Sequence, residues 1–88
     1  MDELIKELGI SGELIDSDNN TKTLDIEGSN NYGKVYSKLD NSDLVEEDEN
    51  SSQVTEDTSS IQFDNDDYIL TLLANFDTDE YKLIVKKK

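Results

Sequence analysis

The chain has 88 residues and sets 22 acidic side chains against 8 lysines, a formal charge of −14, with no Cys, His, Arg, Pro or Trp. This composition excludes a disulfide framework, a zinc–thiolate site, the commonest general base and the bidentate guanidinium clamp for phosphate. Its length suits one domain that buries only ~60–65% of its unfolded surface, and no apolar run is long enough to span a membrane.

Asp2 to Leu8 reads as a short helix with Leu4, Ile5 and Leu8 on one stripe and acids in the first turn. Gly9 suits a left-handed cap, with Ile10 closing the last turn. Glu13 to Asp16 and Thr21 to Glu27 follow as strands around the turn Ser17-Asp18-Asn19-Asn20, with Leu24 and Ile26 inward. The same stretch matches a calcium-loop template, with Asp16, Asp18, Asn20 and Glu27 at positions 1, 3, 5 and 12. Two departures count against it: Thr21 stands where the template needs Gly, and the flanks read as strands rather than helices.

Tyr32, Val35, Tyr36 and Leu39 recur at helical spacing, which favours a helix over 32–39 despite Gly33; a strand with Val35, Ser37 and Leu39 on one face competes. Ser42 can cap a short helix from Asp43 to Glu49. That helix would fray, because Glu46-Glu47-Asp48-Glu49 lies at its negative end. With Val54 as its one clear anchor, 46–60 is expected to be a mobile loop.

Ser60 to Asp64, Asp67 to Phe76 and Glu80 to Lys87 read as an antiparallel meander, with Asp64-Asn65-Asp66 and Asp77-Thr78-Asp79 as its turns. The middle strand carries Leu70, Leu72, Ala74 and Phe76 on one face and Ile69 and Leu73 on the other, which predicts a central strand covered on both sides. Together these elements imply a single α+β domain over 1–88: an antiparallel sheet of four to five strands with one or two short helices packed on it. The expected core is Leu4, Ile5, Leu8, Leu14, Leu24, Ile26, Val35, Leu39, Ile61, Phe63, Leu70, Leu72, Phe76, Leu83 and Val85.

The charge is not spread evenly. From Leu39 to Tyr81 there are 14 carboxylates and no basic residue, while the remaining 8 acids are matched by 8 lysines. Concentrated like charge opposes compaction, and a few interspersed lysines would relieve it, so the pattern points to a use. Carboxylates ordered along strands and turns can imitate phosphates, which recur every ~1.7 Å along a duplex axis.

In size, charge and α+β pattern the chain resembles the phage-encoded DNA-mimic inhibitors, such as the uracil-DNA glycosylase inhibitor and small anti-CRISPR proteins. The resemblance implies a cytoplasmic, stoichiometric inhibitor of a basic nucleic-acid-binding protein; the arginines of a CRISPR-Cas effector that read a PAM would be one landing site. The decoy would use Glu46, Glu47, Asp48, Glu49, Glu56, Asp57, Asp64, Asp66, Asp67, Asp77, Asp79 and Glu80. The acids of the meander turns are expected to outrank those of the loop, because ordering a loop on binding costs free energy. An immunity protein or antitoxin covering a basic nuclease toxin would need the same surface, and a calcium-binding or purely structural interaction domain is the remaining alternative. No catalytic constellation, cofactor motif, nucleic-acid-binding footprint or membrane anchor is expected, and the chain should be a monomer or small homo-oligomer.

Overall fold

In the computed structural model, which describes residues 2–88, the elements run α1 (Asp2–Leu8), β1 (Glu13–Ser17), β2 (Thr21–Ile26), α2 (Gly28–Asp40), β3 (Glu46–Val54), β4 (Thr58–Asp64), β5 (Tyr68–Asn75) and β6 (Glu80–Lys87). The strands form one antiparallel sheet in the order β1-β2-β6-β5-β4-β3. The class is the α+β arrangement expected, with six strands in place of four to five.

Local chemistry sets the helix ends. At the end of α1 the Gly9 amide donates to the Lys6 carbonyl and the Ile10 amide to the Ile5 carbonyl, while Gly9 has φ +70°. This is the paired 5→2 and 6→1 closure that a left-handed glycine permits, and it turns Ile10 into the core. In α2 the stripe is helical: Val35 and Leu39 are buried, Tyr32 and Tyr36 pack against the core, and Gly33 faces outward. The competing strand does not form: Glu27 is the last extended residue (φ −85°, ψ 109°), and Gly28, at φ +80°, opens the helix that runs to Asp40.

Asparagines set the meander turns. Asn65 Oδ1 accepts the amides of Asp67 and Tyr68, and Asn75 Oδ1 accepts those of Asp77 and Thr78. Asp79 follows in the left-handed region at φ 56°, a conformation that Asp tolerates better than most residues.

Both helices lie on one face of the sheet. The register lines up Leu24, Leu83, Leu72 and Ile61 across four strands, with Val85, Leu70 and Phe63 in the adjacent row and Ile26, Tyr81 and Ala74 on the other side. Leu4, Leu8, Val35, Leu39 and Val45 close over these rows to form one core. The Asp2 carboxylate pairs with Lys22, which shares this face of β2.

Four expectations are corrected. The segment 46–60 is a strand and a hairpin rather than a loop, and no helix forms over Asp43–Glu49. Ser42 Oγ caps only a turn, at the Leu44 amide. Strand β3 lies at the sheet edge, where pairing with β4 needs no apolar side chains, so its polar sequence gave no periodic signal. Leu14 and Phe76 are 51% and 47% exposed, while Ile10, Val45 and Tyr81 are buried in addition to the expected core. Leu14 is on the other edge strand, β1, outside the cover of the helices. Finally, β5 is central but covered on one face only: Ile69, Thr71 and Leu73 remain half-buried on a face that no described element crosses.

Candidate functional site

The strand order converts a segregation along the sequence into one in space. Strands β5, β4 and β3, which carry no lysine, are consecutive neighbours and make up one lateral half of the sheet. The sheet's lysines are on β2 and β6 and in the tail after them, and the others on α1 and α2. Among the described residues only one ion pair forms, Lys22 with Asp2, so none of the acids between Leu39 and Tyr81 is neutralised by a contact.

These acids fall into three groups. The first is on β3. Glu46 and Asp48 point away from the helices, with Glu46 directly opposite Asp64 of β4, a like-charge pairing that costs stability. Glu47 points to the helix side, where the Tyr36 hydroxyl donates to its Oε1 at 3.4 Å. Asp48 organises an irregularity in the strand: Oδ1 accepts the Asn50 amide and Oδ2 the Ser51 hydroxyl, while the Ser52 hydroxyl donates to its carbonyl. Glu49 is exposed on the resulting bulge.

A second group occupies one end of the sheet. Glu56 and Asp57 form the β3–β4 turn, and Asp77 and Asp79 the β5–β6 turn, with Glu80 opening β6. The Phe76 amide donates to the Asp57 carbonyl at 2.8 Å and joins the two turns. The β3–β4 turn is further closed by the Thr58 amide on Thr55 Oγ1 and by a contact between the two threonine hydroxyls. Glu27, just past the end of β2, belongs to this end because Ile26 pairs with Tyr81. Sequence reasoning left it out, since that pairing joins segments far apart in the chain.

The third group, Asp64, Asp66 and Asp67, surrounds the β4–β5 turn at the opposite end. Here the lysine tail intervenes: the Lys88 amide donates to the Asp67 carbonyl, and Lys88 lines a depression with Asp43, Glu46, Asp64 and Asp66. The two ends therefore differ in field. One mixes acids with Lys86, Lys87 and Lys88; at the other, the nearest lysine on the strands is Lys82, two rows in. Glu56 and Asp57, expected on a loose loop, lie like Asp66 and Asp67 in a turn closed by hydrogen bonds.

Two tyrosines are perturbed by these carboxylates. The hydrogen bond from Tyr81 to Asp79, at 2.8 Å, and burial hold the Tyr81 hydroxyl above its ordinary value of 10.0. Burial, with Glu47 and Asp40 nearby, raises that of Tyr36. Of the twelve expected decoy acids, only Glu47, Asp48 and Asp79 have carboxylates engaged by the chain itself; the others point theirs to solvent or across the sheet face.

The calcium template does not assemble. Asp18 spends its Oδ1 on the Asn20 and Thr21 amides, closing the β1–β2 turn. Glu27 is past the far end of β2, roughly 20 Å of extended chain away, whereas calcium takes its ligands at ~2.3–2.6 Å. No group of three or more metal-ligating side chains occurs among the described residues, and no described helix is long and apolar enough to cross a membrane. Comparison with protein-family models, curated proteins and solved structures finds no match.

Proposed function

We propose that the chain is an acidic protein inhibitor that acts as a nucleic-acid mimic, occupying the basic nucleic-acid-binding surface of a host defence or DNA-processing protein. One observation carries this reading: of the fourteen carboxylates between Leu39 and Tyr81, eleven lie on β3, β4 and the turns that join β3 to β6, on strands that carry no lysine. The Glu46–Asp64 pairing adds to it, because like charges set directly opposite cost stability that a single lysine would restore. Strand spacing of ~4.8 Å between chains and ~6.6 Å between same-face residues sets Glu46, Asp48 and Asp64, and hydrogen-bonded turns carry Glu56, Asp57, Asp66, Asp67, Asp77 and Asp79. A preorganised array presents its charge without the entropy loss of ordering a flexible tail.

The test is competition. The tagged chain is used to capture proteins from a bacterial lysate, and the bound fraction is challenged with duplex DNA and, separately, with salt. Basic nucleic-acid-binding proteins should be retained, released by DNA, and released steeply as salt rises. Retained proteins that resist both DNA and salt would rule out phosphate mimicry.

A further inference from the structure

The sheet face turned away from the helices is a second surface, which shares Glu46, Asp48 and Asp64 with the acidic array but not the acids of the β3–β4 and β5–β6 turns. Its centre line is Ile69, Thr71 and Leu73 of β5, half-buried with nothing in the described chain over them, and Ile84 of β6 stands beside Thr71. On this face the lysines are confined to one side of β5. Lys82 and Lys86 stand on the β6 side with Glu80 and with Asp25 of β2, whereas Asp64 on β4 and Glu46 and Asp48 beyond it on β3 have no lysine among them.

We propose that this face is the interface of a homodimer, in which two copies stack face to face about a twofold axis parallel to β5 beneath Thr71. The axis follows from the register. Stacked sheets lie ~10 Å apart with strands aligned to within ~30°. Rotation about a line parallel to β5 leaves each row of residues at its own level and exchanges the flanks. Because β2-β6-β5-β4-β3 is symmetric about β5, β6 then covers β4 of the second copy and β2 covers β3. Lys86, Ile69 and Asp64 share one row, so Lys86 of each copy lies over Asp64 of the other, twice by symmetry. Ile69, Thr71 and Leu73 meet their own counterparts, Thr21 and Thr23 of β2 meet Glu46 and Asp48 of β3, and Asp25 meets Gln53. The alternative in-plane axis, across the strands, would lay the acidic β3 on itself and is opposed by like charge.

The dimensions are sufficient. Five strands at ~4.8 Å and about six residues at ~3.3 Å give a footprint of roughly 500 Å² per copy, roughly 1,000 Å² in all, the lower bound for a specific interface. Two copies of charge −14 repel at long range, and salt screens that repulsion more than it weakens the enclosed pairs. Self-association should therefore strengthen with salt, the opposite of binding through the acidic turns. The inference does not depend on the nucleic-acid-mimic reading.

Sedimentation equilibrium of the full chain, from micromolar to millimolar concentration, tests it. The wild type should dimerise reversibly, and Lys86→Asp and Asp64→Lys should each weaken the dimer by about tenfold or more. An equimolar mixture of the two variants should restore it, since the mixed dimer places a lysine opposite a carboxylate at both sites. Restoration by mixing cannot arise within one chain. Circular dichroism first establishes that each variant is folded. If either is not, Thr71→Lys serves instead, because it brings two lysines together at the axis and should abolish the dimer. A wild type that stays monomeric throughout, a folded single variant that dimerises like the wild type, or a folded mixture that stays monomeric overturns the proposal.

Discussion

Glu46→Lys should make the protein more stable, which is the reverse of what most substitutions do. Glu46 faces Asp64 directly across the β3–β4 ladder, and Asp48 stands two residues along on the same side. Like charges set opposite one another destabilise by roughly 0.2–1 kcal/mol, and an opposite-charge pair stabilises by a similar amount. Both sites touch solvent, so the smaller part of that range applies, and the reversal is worth about 0.5–1 kcal/mol. In a domain of this size about 1 kcal/mol moves the unfolding midpoint by ~4–8 °C, so a rise of about 2–8 °C is expected at low salt. Thermal unfolding followed by circular dichroism measures it, with Glu46→Gln giving roughly half the gain. In 1 M salt the Debye length shrinks to about 3 Å, and most of the gain should vanish. A midpoint that falls, or a gain that is the same in high salt, would show that repulsion across β3–β4 is not what the substitution relieves.

Neutralising Glu56, Asp57, Asp77 and Glu80 to their amides should weaken partner binding more than neutralising Asp66 and Asp67, because the latter share their end of the sheet with the lysine tail. Binding titrations at one fixed salt concentration decide it, and equal losses would remove the distinction between the two ends. Ultraviolet titration should show Tyr36 and Tyr81 ionising above the ordinary value of 10.0, with Tyr36→Phe deleting one late step. Since the folded state retains these protons more strongly, their contribution to stability is complete below pH 10 and is lost as pH rises through the raised values. Denaturant midpoints on either side of pH 10 check the sign. Gly12→Ala should destabilise by about 1–3 kcal/mol, because a Cβ there meets the Asp25 carbonyl oxygen at 2.7 Å. Gly33→Ala, with nothing within 4 Å, should stabilise α2 by about 1 kcal/mol.

What the sequence revealed of this fold depended on how locally each feature is encoded. Helix α1, its glycine closure and the alternation of β5 were legible because residues within one turn or one strand decide them. Strand β3 was hidden. Its residues, EEDENSSQV, satisfy the backbone pairing of an edge without burying anything, and that leaves no periodic trace. Ile69 and Leu73 announced a second apolar face but could not say whether the cover comes from this chain. Phe76 is not in the core where it was expected, and Tyr81, absent from the expected core, is buried. The tyrosine keeps its hydroxyl satisfied on Asp79 while its ring is buried, and Phe76 is carried out on the turn, where it packs edge-on against Tyr32. The twelve candidate acids were readable one by one. Their division into an unmixed end and an end shared with lysines was not, because it rests on β6 pairing with both β2 and β5.

That double pairing bears on how the protein is made. Until β6 emerges, a growing chain holds β1–β2 as one hairpin and β3–β4–β5 as a separate meander, with no strand between them to share. Synthesis at ~5–20 residues per second usually lets N-terminal parts fold first, but here the first half lacks the neighbour that completes its core. Leu83 and Val85, both fully buried, are on β6 itself. The core therefore cannot close until β6 has been made, and a chain cut before residue 80 would hold two unjoined pieces of sheet, each with an exposed strand edge.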